Sequence, residues 1–317
     1  MNRGPFIHRV LSTRTLMWVV VFALSLTIPW IWWRHGVSGM LLLALAMGTT
    51  VTLDFLLNRF RFESSSVVTG FLVALLLPAY APPWLAVFAS SIAVVFGRWM
   101  WGGLGKNKVN PAVFSRVAIV VLFPQWYRPP LSILDTVTRA SPLAKEMGSL
   151  PYSLSDWIYG NQVGSLAEAF PLAVFGGGLL LCFLRVVDWR VPLYYLASIT
   201  FFVLLLPGGD RVIGHADWAV GDPLFHIFSG GVPLAAFFLL TDPVTSPFWR
   251  KARIRFAVIA GLATVFVRYY TPYPDGVGFA VLICNLLVPL LDILEGRGTE
   301  ALPGPGAKPK SKVCTLL

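Results

Sequence analysis

Hydrophobic runs recur ten times along the chain, at about 15–33, 37–57, 67–81, 83–101, 111–126, 166–184, 189–207, 223–241, 255–271 and 276–294. Most approach the roughly 20 apolar residues that a helix needs to cross the hydrocarbon core of a bilayer. Lipid offers no partner to a backbone N–H or C=O, so runs of this kind are helices, which satisfy those groups internally. The expected fold class is therefore all-α, a polytopic membrane protein of about ten transmembrane helices. Two runs are short and interrupted by Gly and Pro: the third, "TGFLVALLLPAYAPP", and the eighth, "SGGVPLAAFFLLTDP". Broken helices of that kind tend to line a site. The longest mostly polar stretch, 127–165, separates the fifth run from the sixth. The tail after Leu294 is rich in Pro, Gly and Lys, a composition expected to be disordered.

Composition agrees with a lipid solvent. Of 317 residues, 56% are hydrophobic and 13% charged, against about a quarter charged in a soluble domain. The net charge of +10 carries topological information, because Lys and Arg collect on the cytoplasmic side. With the N-terminus inside, the inner segments hold 18 Lys and Arg and the outer ones 5, and Arg116 and Arg268 fall within or at the ends of spans, completing the 25. Both termini are then cytoplasmic and 127–165 lies outside. No basic stripe interleaved with aromatics is present, so nucleic acid is not an expected partner. Cys182, Cys284 and Cys314 form no CxxC pair, which argues against an iron–sulfur or zinc site within the chain. No small-residue cleavage site follows the first run, so it reads as a span.

"VFGRWM" at 95–100 closes the fourth run and "VFVRYY" at 265–270 closes the ninth. The offset of five spans is odd, so two such repeats would be inverted relative to each other. The expected layout is a five-span repeat over 1–126, an outside loop over 127–165, a second five-span repeat over 166–294 and a cytoplasmic tail over 295–317. Each repeat contributes one broken span, starting at a Thr69-Gly70 or Ser229-Gly230-Gly231 turn, and the two are expected to build a shared site near mid-membrane.

Four stretches are too polar or glycine-rich for plain lipid-facing helix. "GRWMWGGLGKNKVNPAVFSR" (97–116) has glycines that let backbone amides approach a ligand and lysines that supply positive charge. It does not spell a phosphate-binding Walker loop, since Asn107 follows Lys106, and a tight positive-inside turn is the plainer reading. "TDPVTSP" (241–247) closes a broken helix or simply caps a turn. "YPDGVGFAVLICNLLVPLLD" (273–292) places Asn285 within a span, where an amide should face protein. "DTVTRASPL" (135–143) spaces Asp135, Thr138 and Ser141 by three and has no histidine nearby. A Ser–His–Asp hydrolase is disfavoured because no nucleophile-elbow motif occurs, and a capped surface turn is the plainer reading. Asp54, near the inner end of the second span, is expected to snorkel or to pair near Arg59.

Together these stretches resemble one family, which unites the RnfD component of the Rnf electron-transport complex with the NqrB component of the sodium-pumping NADH:quinone reductase. "GGLGKN.VNPA" (102–112), "SGG.PL.AFFLLTDPVT" (229–245) and "YPDGVGFAVL..NL.VPL.D" (273–292) look like its signatures, in order, and the length suits the Rnf branch. The resemblance implies a urea-transporter-like pair of inverted repeats in a bacterial inner membrane. It also turns the three stretches into expected cofactor-site walls, with Arg98, Lys106, Asn107, Asn110, Ser229, Thr241, Asp242 and Asp275 as the candidates. In that family the outer loop carries FMN, attached by a phosphoester bond in a pattern like Asp-x-x-Ser/Thr-x-Ala-Thr. Here it reads Asp135-Thr136-Val137-Thr138-Arg139-Ala140-Ser141, which implies attachment at Ser141, with Asp135, Thr138, Arg139 and Ala140 around it. Two positions depart from the pattern: Ser141 stands for the usual Thr, and Arg139 for a neutral residue. The implied partners are the other subunits of an Rnf-type complex, a flavin transferase and membrane lipid. A second, non-covalent flavin among the spans is left open. The implied function is electron relay coupled to Na+ or H+ movement, not performed by this chain alone. An inverted-repeat transporter and a flavin-free scaffold are the alternatives.

Overall fold

A computed structural model describes residues 12–103, 105–127, 159, 164–206, 223–271, 273 and 275–296. Ser141 and its neighbours Asp135, Thr138, Arg139 and Ala140 lie outside the described residues, as does the tail beyond Gly296. Among the described residues the regular structure is helical, apart from one isolated antiparallel bridge between Pro78 and Ser165. The elements of the first half are α1 (Thr13–Ser25), α2 (Ile28–Leu57), α3 (Ser64–Leu76), α4 (Pro83–Val95) and α5 (Pro111–Leu122). Those of the second half are α6 (Pro171–Phe183), α7 (Arg190–Leu205), α8 (Pro223–Phe228), α9 (Val232–Leu234, running into a π turn at Ala235–Leu239), α10 (Arg250–Tyr270) and α11 (Val277–Gly296).

The solvent-facing pattern is inverted relative to a water-soluble protein. Trp33 is 76% exposed, Leu204 68% and Phe183 84%, while Arg98, Asn110, Arg116, His226 and Arg268 are buried. An apolar exterior this extensive, with charged side chains buried among a mostly apolar core, is stable where the surrounding solvent is itself apolar. Among the described residues, three helices are long and apolar enough to cross a membrane: Ile28–Leu57, Pro83–Trp101 and Val277–Gly296. Other apolar helices are shorter. At 1.5 Å per residue the 13 residues of α3 rise only about 20 Å, against about 30 Å of hydrocarbon. The missing depth is covered by extended chain that pairs with protein. Leu166 N donates to Leu77 O (3.0 Å) and Ala79 N to Gly164 O (3.1 Å), which satisfies backbone where lipid cannot.

The structure moves several expected boundaries. The first run is not one helix: α1 stops at Ser25, where the Thr27 hydroxyl donates to Leu24 O (2.7 Å), and Pro29 opens α2. The α2 helix is itself broken at Gly36 (φ 55°, ψ −138°), so its regular part begins where the second run does. The third run is not broken at Thr69-Gly70. It is continuous from Ser64 and stops at Leu77-Pro78. Gly70 serves a different purpose there, since a Cβ would overlap the Thr50 hydroxyl and it therefore lets α3 lie against α2. The eighth run is broken as its glycines suggest, at Ser229–Gly231, with Gly230 at φ 65°.

Packing joins the two halves. The α2 helix packs on α3 and α4, and α10 packs on α7 and α11. The α1 helix lies against α3 within the first half and against α6 across the halves, and α5 lies against α11. Gly178 lets α6 approach the π turn, because a Cβ there would overlap the Phe237 ring.

Candidate functional site

A cavity of about 820 Å³, part of it open to solvent, lies between the halves at the end that the charge bias assigns to the inside. Leu16, Met17 and Val20 of α1, with Phe237 and Phe238 of the π turn, give it apolar walls. Ser65 and Thr69 of α3, Arg98, Asn107, Asn110 and Asp242 give it a polar side. Both of the short interrupted runs thus contribute wall. A π turn is a frequent device at functional sites, because it shifts side chains out of the ordinary helical register.

Arg98 organises the polar side. It follows α4 and reaches back to the start of α3. Its Nη2 donates to Thr69 Oγ1 (2.6 Å) and Ser65 O (3.3 Å), and its Nη1 to Ser66 Oγ (3.3 Å) and Asp54 Oδ2 (3.4 Å). Ser66 Oγ also donates to Asp54 Oδ2. Asp54 is therefore held by Arg98 and Ser66, and the expected pairing near Arg59 is corrected: Asp54 is buried and turned toward α3. A carboxylate is stable there only because a cation and a hydroxyl face it. Two polar atoms of this cluster have no partner among the described residues, Arg98 Nε and Ser65 Oγ.

Asn110 ties the cavity floor together. Its Oδ1 accepts from Ala112 N (3.0 Å) and Val113 N (3.4 Å), which caps α5, and its Nδ2 donates to Asp242 Oδ2 (3.4 Å). Asp242 also accepts from Thr245 Oγ1 (3.0 Å) and Val244 N (3.3 Å). With its amide oxygen turned toward Asn110 N (3.0 Å), Asn285 donates to Thr245 O (3.3 Å). Asn285 is buried, so this intramembrane amide faces protein as expected. Thr241 lines the cavity and donates to Phe237 O (2.5 Å). The loop before Asn110 turns on Gly102, Gly103 and Gly105, all at positive φ. Asn107 Nδ2 donates to Val109 O (3.0 Å). Lys106 is exposed beside Gly102 and is not part of the cavity wall.

Ser229 and Asp275 belong to a separate polar cluster around the break between α8 and α9. Asp275 accepts from Gly231 N (3.1 Å) and from Arg116 Nη2 (2.8 Å). An anion at the start of a helical segment and a guanidinium beside it are mutually favourable. Arg116 also donates to Leu76 O, the end of α3. Arg268 donates to His226 O and Ser229 O, both at 2.8 Å. Arg98 and Arg268, the two arginines of the echoed segments, thus make the same kind of contact. Each runs from the end of its helix to backbone of the preceding short span, Arg98 to one carbonyl (Ser65 O) and Arg268 to two.

The predicted residues therefore fall into three groups. Arg98, Asn107, Asn110, Thr241 and Asp242 share one cavity. Ser229 and Asp275 share the α8–α9 break, and Lys106 stands apart. Sequence reasoning missed Ser65 and the Asp54 link, and it read Thr69 only as part of a turn that opens a broken span. The signal was present as "SSS" at 64–66 directly before an apolar run, since hydroxyls at a buried helix start must bond to something. The cavity has apolar walls facing one polar side. Its apolar walls would take the faces of a ring, and its polar side would orient one edge.

An apolar exterior, interrupted helices and a cavity with one polar side between two halves define a polytopic membrane protein with an internal cavity. Residues 1–298 match the model of the NQR2, RnfD, RnfE family, and the chain belongs to that family. It is 33% identical over 304 residues to a subunit of the Na(+)-translocating ferredoxin:NAD(+) oxidoreductase complex of Acetobacterium woodii, covering 92% of each chain. It is 34% identical over 323 residues to a subunit of the ion-translocating oxidoreductase complex of Pseudomonas aeruginosa, covering 92% of this chain and 90% of that one. A third relative, 27% identical over 312 residues, is a subunit of the proton-translocating ferredoxin:NAD(+) oxidoreductase complex of Clostridium ljungdahlii, with 92% of each chain covered. The resemblance carried by the three signatures is thereby borne out.

Proposed function

We propose that this chain is the membrane subunit of an ion-translocating electron-transport complex of Rnf type, that it carries FMN on its outer face through a phosphoester at Ser141, and that it relays electrons within the complex. The observation that carries this reading is the attachment pattern Asp135 to Ser141, in the loop that the charge bias places outside. Family membership and the names of its relatives support it. Those relatives are named for sodium in one case and protons in another, so Na+ and H+ both stand as coupling ions. A dedicated flavin transferase, with magnesium, would make the bond, and the other subunits would supply donor and acceptor.

The inner cavity is proposed to hold a second, non-covalent flavin. A flavin takes up electrons in pairs and passes them on singly, which is the chemistry it would supply here. The residues of this chain would bind and orient it. Phe237, Phe238 and Met17 would exclude water from the ring faces, Asn107, Asn110 and Thr241 would offer hydrogen bonds to its edge, and Arg98 would supply positive charge. Asp242, held by Asn110 and Thr245, would fix the floor.

The test is co-expression with a flavin transferase followed by a denaturing gel. A fluorescent band that is lost in Ser141→Ala is expected. No band in either, with the transferase active on another substrate, overturns covalent attachment.

A further inference from the structure

Asp188, between α6 and α7, is shared by two arginines at the end that the charge bias assigns to the inside. Arg190 Nη1 stands 3.7 Å from Asp188 Oδ1, and Arg253 Nη1 stands 3.8 Å from Asp188 Oδ2. Both separations exceed the roughly 2.7–2.9 Å of a close charge-assisted bond. Each arginine is nevertheless held in place. Arg253 Nε donates to Pro247 O (2.9 Å), and the Arg190 guanidinium lies over the Trp189 ring, 5.3 Å from its centroid. Neither Nη2 makes a hydrogen bond among the described residues. Arg250 and Lys251, in the first turn of α10, are exposed and join no ion pair among the described residues. The acids nearby do not balance these cations. Asp292 accepts from the Phe248 and Trp249 amides, and Glu295 is taken up by Arg255 (2.7 Å). Four cations, Arg190, Arg250, Lys251 and Arg253, thus face two carboxylates, Asp188 and Asp292.

The surface beside this rim is apolar. Trp189, Leu193 and Phe248 are exposed, and Ala197, Phe201 and Leu204 continue the exposed line of α7, at a spacing that keeps them on one helix face. Exposed aromatic rings with arginines at a helix end mark the headgroup level of a bilayer. We propose that Arg190 and Arg253 bind the phosphodiester of an anionic phospholipid, with an acyl chain lying along the Leu193–Leu204 face of α7. Charge complementarity selects this occupant. An anionic lipid offsets the excess of positive charge, whereas a zwitterionic one brings a cation of its own. A soluble phosphate would gain nothing from Leu193 and Phe201. The two converging guanidiniums, each with Nη2 to spare, offer the planar forks that phosphate oxygens take. Asp188 competes for the same guanidiniums. It keeps them together while the site is empty and weakens the lipid when it is full.

The test uses the full chain in a neutral detergent, with phosphatidylglycerol as the probe and bound lipid counted by native mass spectrometry over a titration. A one-to-one adduct is expected, bound more tightly than phosphatidylcholine. Arg190→Gln and Arg253→Gln are each expected to weaken it about fivefold, the factor for one basic residue near a membrane surface. Asp188→Asn is expected to tighten it several-fold, since the amide still accepts from Arg190 N (3.2 Å) but no longer competes as a charge. Arg61→Gln, in the turn between α2 and α3, is expected to leave it unchanged. If the arginine variants do not fold, Asp188→Asn still decides, and weaker or unchanged binding there overturns the proposal. Equal binding of phosphatidylcholine, or an equal loss in Arg61→Gln, would mean that no site selects the headgroup, and the proposal falls. Displacement by inorganic phosphate at equal concentration would make this a free-anion site and overturn the lipid. If no lipid is retained, the rim is left to an acidic protein partner and the proposal falls.

Discussion

Asp54 illustrates how a single buried charge depends on its neighbours. Its side chain and that of Arg98 are 9% and 5% exposed, so neither ion is solvated if the other is removed. Removing one partner of a buried pair costs about 3–5 kcal/mol, because the remaining charge is uncompensated. Asp54→Ala is expected to lose stability of that order, with a lower midpoint of thermal unfolding in detergent. Asp54→Asn is expected to lose much less, since an amide still accepts from Ser66 and Arg98. Equal losses in the two variants would mean that charge compensation is not what holds Arg98. Asn110 makes a second residue-scale case. Its side chain both caps α5 and bonds Asp242, and loss of a cap alone costs about 0.5–2 kcal/mol. Asn110→Ala should therefore destabilise by at least that amount, and Asn110→Asp, which keeps the capping oxygen but faces the Asp242 carboxylate, should not restore it.

Among the elements, the interrupted runs decide the shape of the cavity. Gly and Pro in the eighth run announce a break, and a break is found at Ser229–Gly231. The third run misleads for the same reason that it stands out: Gly70 reads as a turn, yet it is a point of close helix approach. Sequence alone does not separate the two uses of glycine, because both follow from the missing Cβ. What distinguishes them is the Thr50 hydroxyl across the contact, on a different helix. The approach of α6 to the π turn is testable in the same terms. Gly178→Val would drive a branched side chain into Phe237, and overpacking of this kind costs about 1–3 kcal/mol. The expected result is a lower unfolding temperature and, on the proposed reading that the cavity holds a flavin, weaker flavin binding. Gly176→Ala is the control, since nothing lies within 4 Å of a Cβ there.

For the whole molecule, hydropathy and charge are enough to predict an all-helical membrane protein, and three signatures are enough to predict its family. They are not enough to give helix lengths. Several runs of near-spanning length are shorter helices joined by extended or turned segments, because buried backbone can pair with protein where exposed backbone cannot. The cavity was legible in part. Asn107, Asn110, Thr241 and Asp242 lie in the quoted signatures and Arg98 in the echoed segment, whereas Ser65 belongs to no motif and Thr69 was legible only as half of a Thr-Gly pair. The 18-to-5 charge bias makes a prediction at this scale. In a chain lacking Cys182, Cys284 and Cys314, Lys145→Cys should react with a membrane-impermeant maleimide added from outside. Lys106→Cys should react only once the membrane is opened. The reverse pattern would invert the topology and put Ser141 out of reach of an outside transferase.

The extended pairing at the far end of α3 ties these scales together. Leu77 and Ala79 are bonded to Leu166 and Gly164, where the long outer loop returns to the bundle, and Arg116 grips the Leu76 carbonyl just before them. Ser65 and Thr69, near the other end of the same helix, border the inner cavity. A 13-residue helix stitched at one end to the loop root and clamped at the other by Arg98 behaves as a short strut spanning about 20 Å. A push on the loop root would be carried along α3 to the cavity wall, with no break in the helix between Ser64 and Leu76 to absorb it.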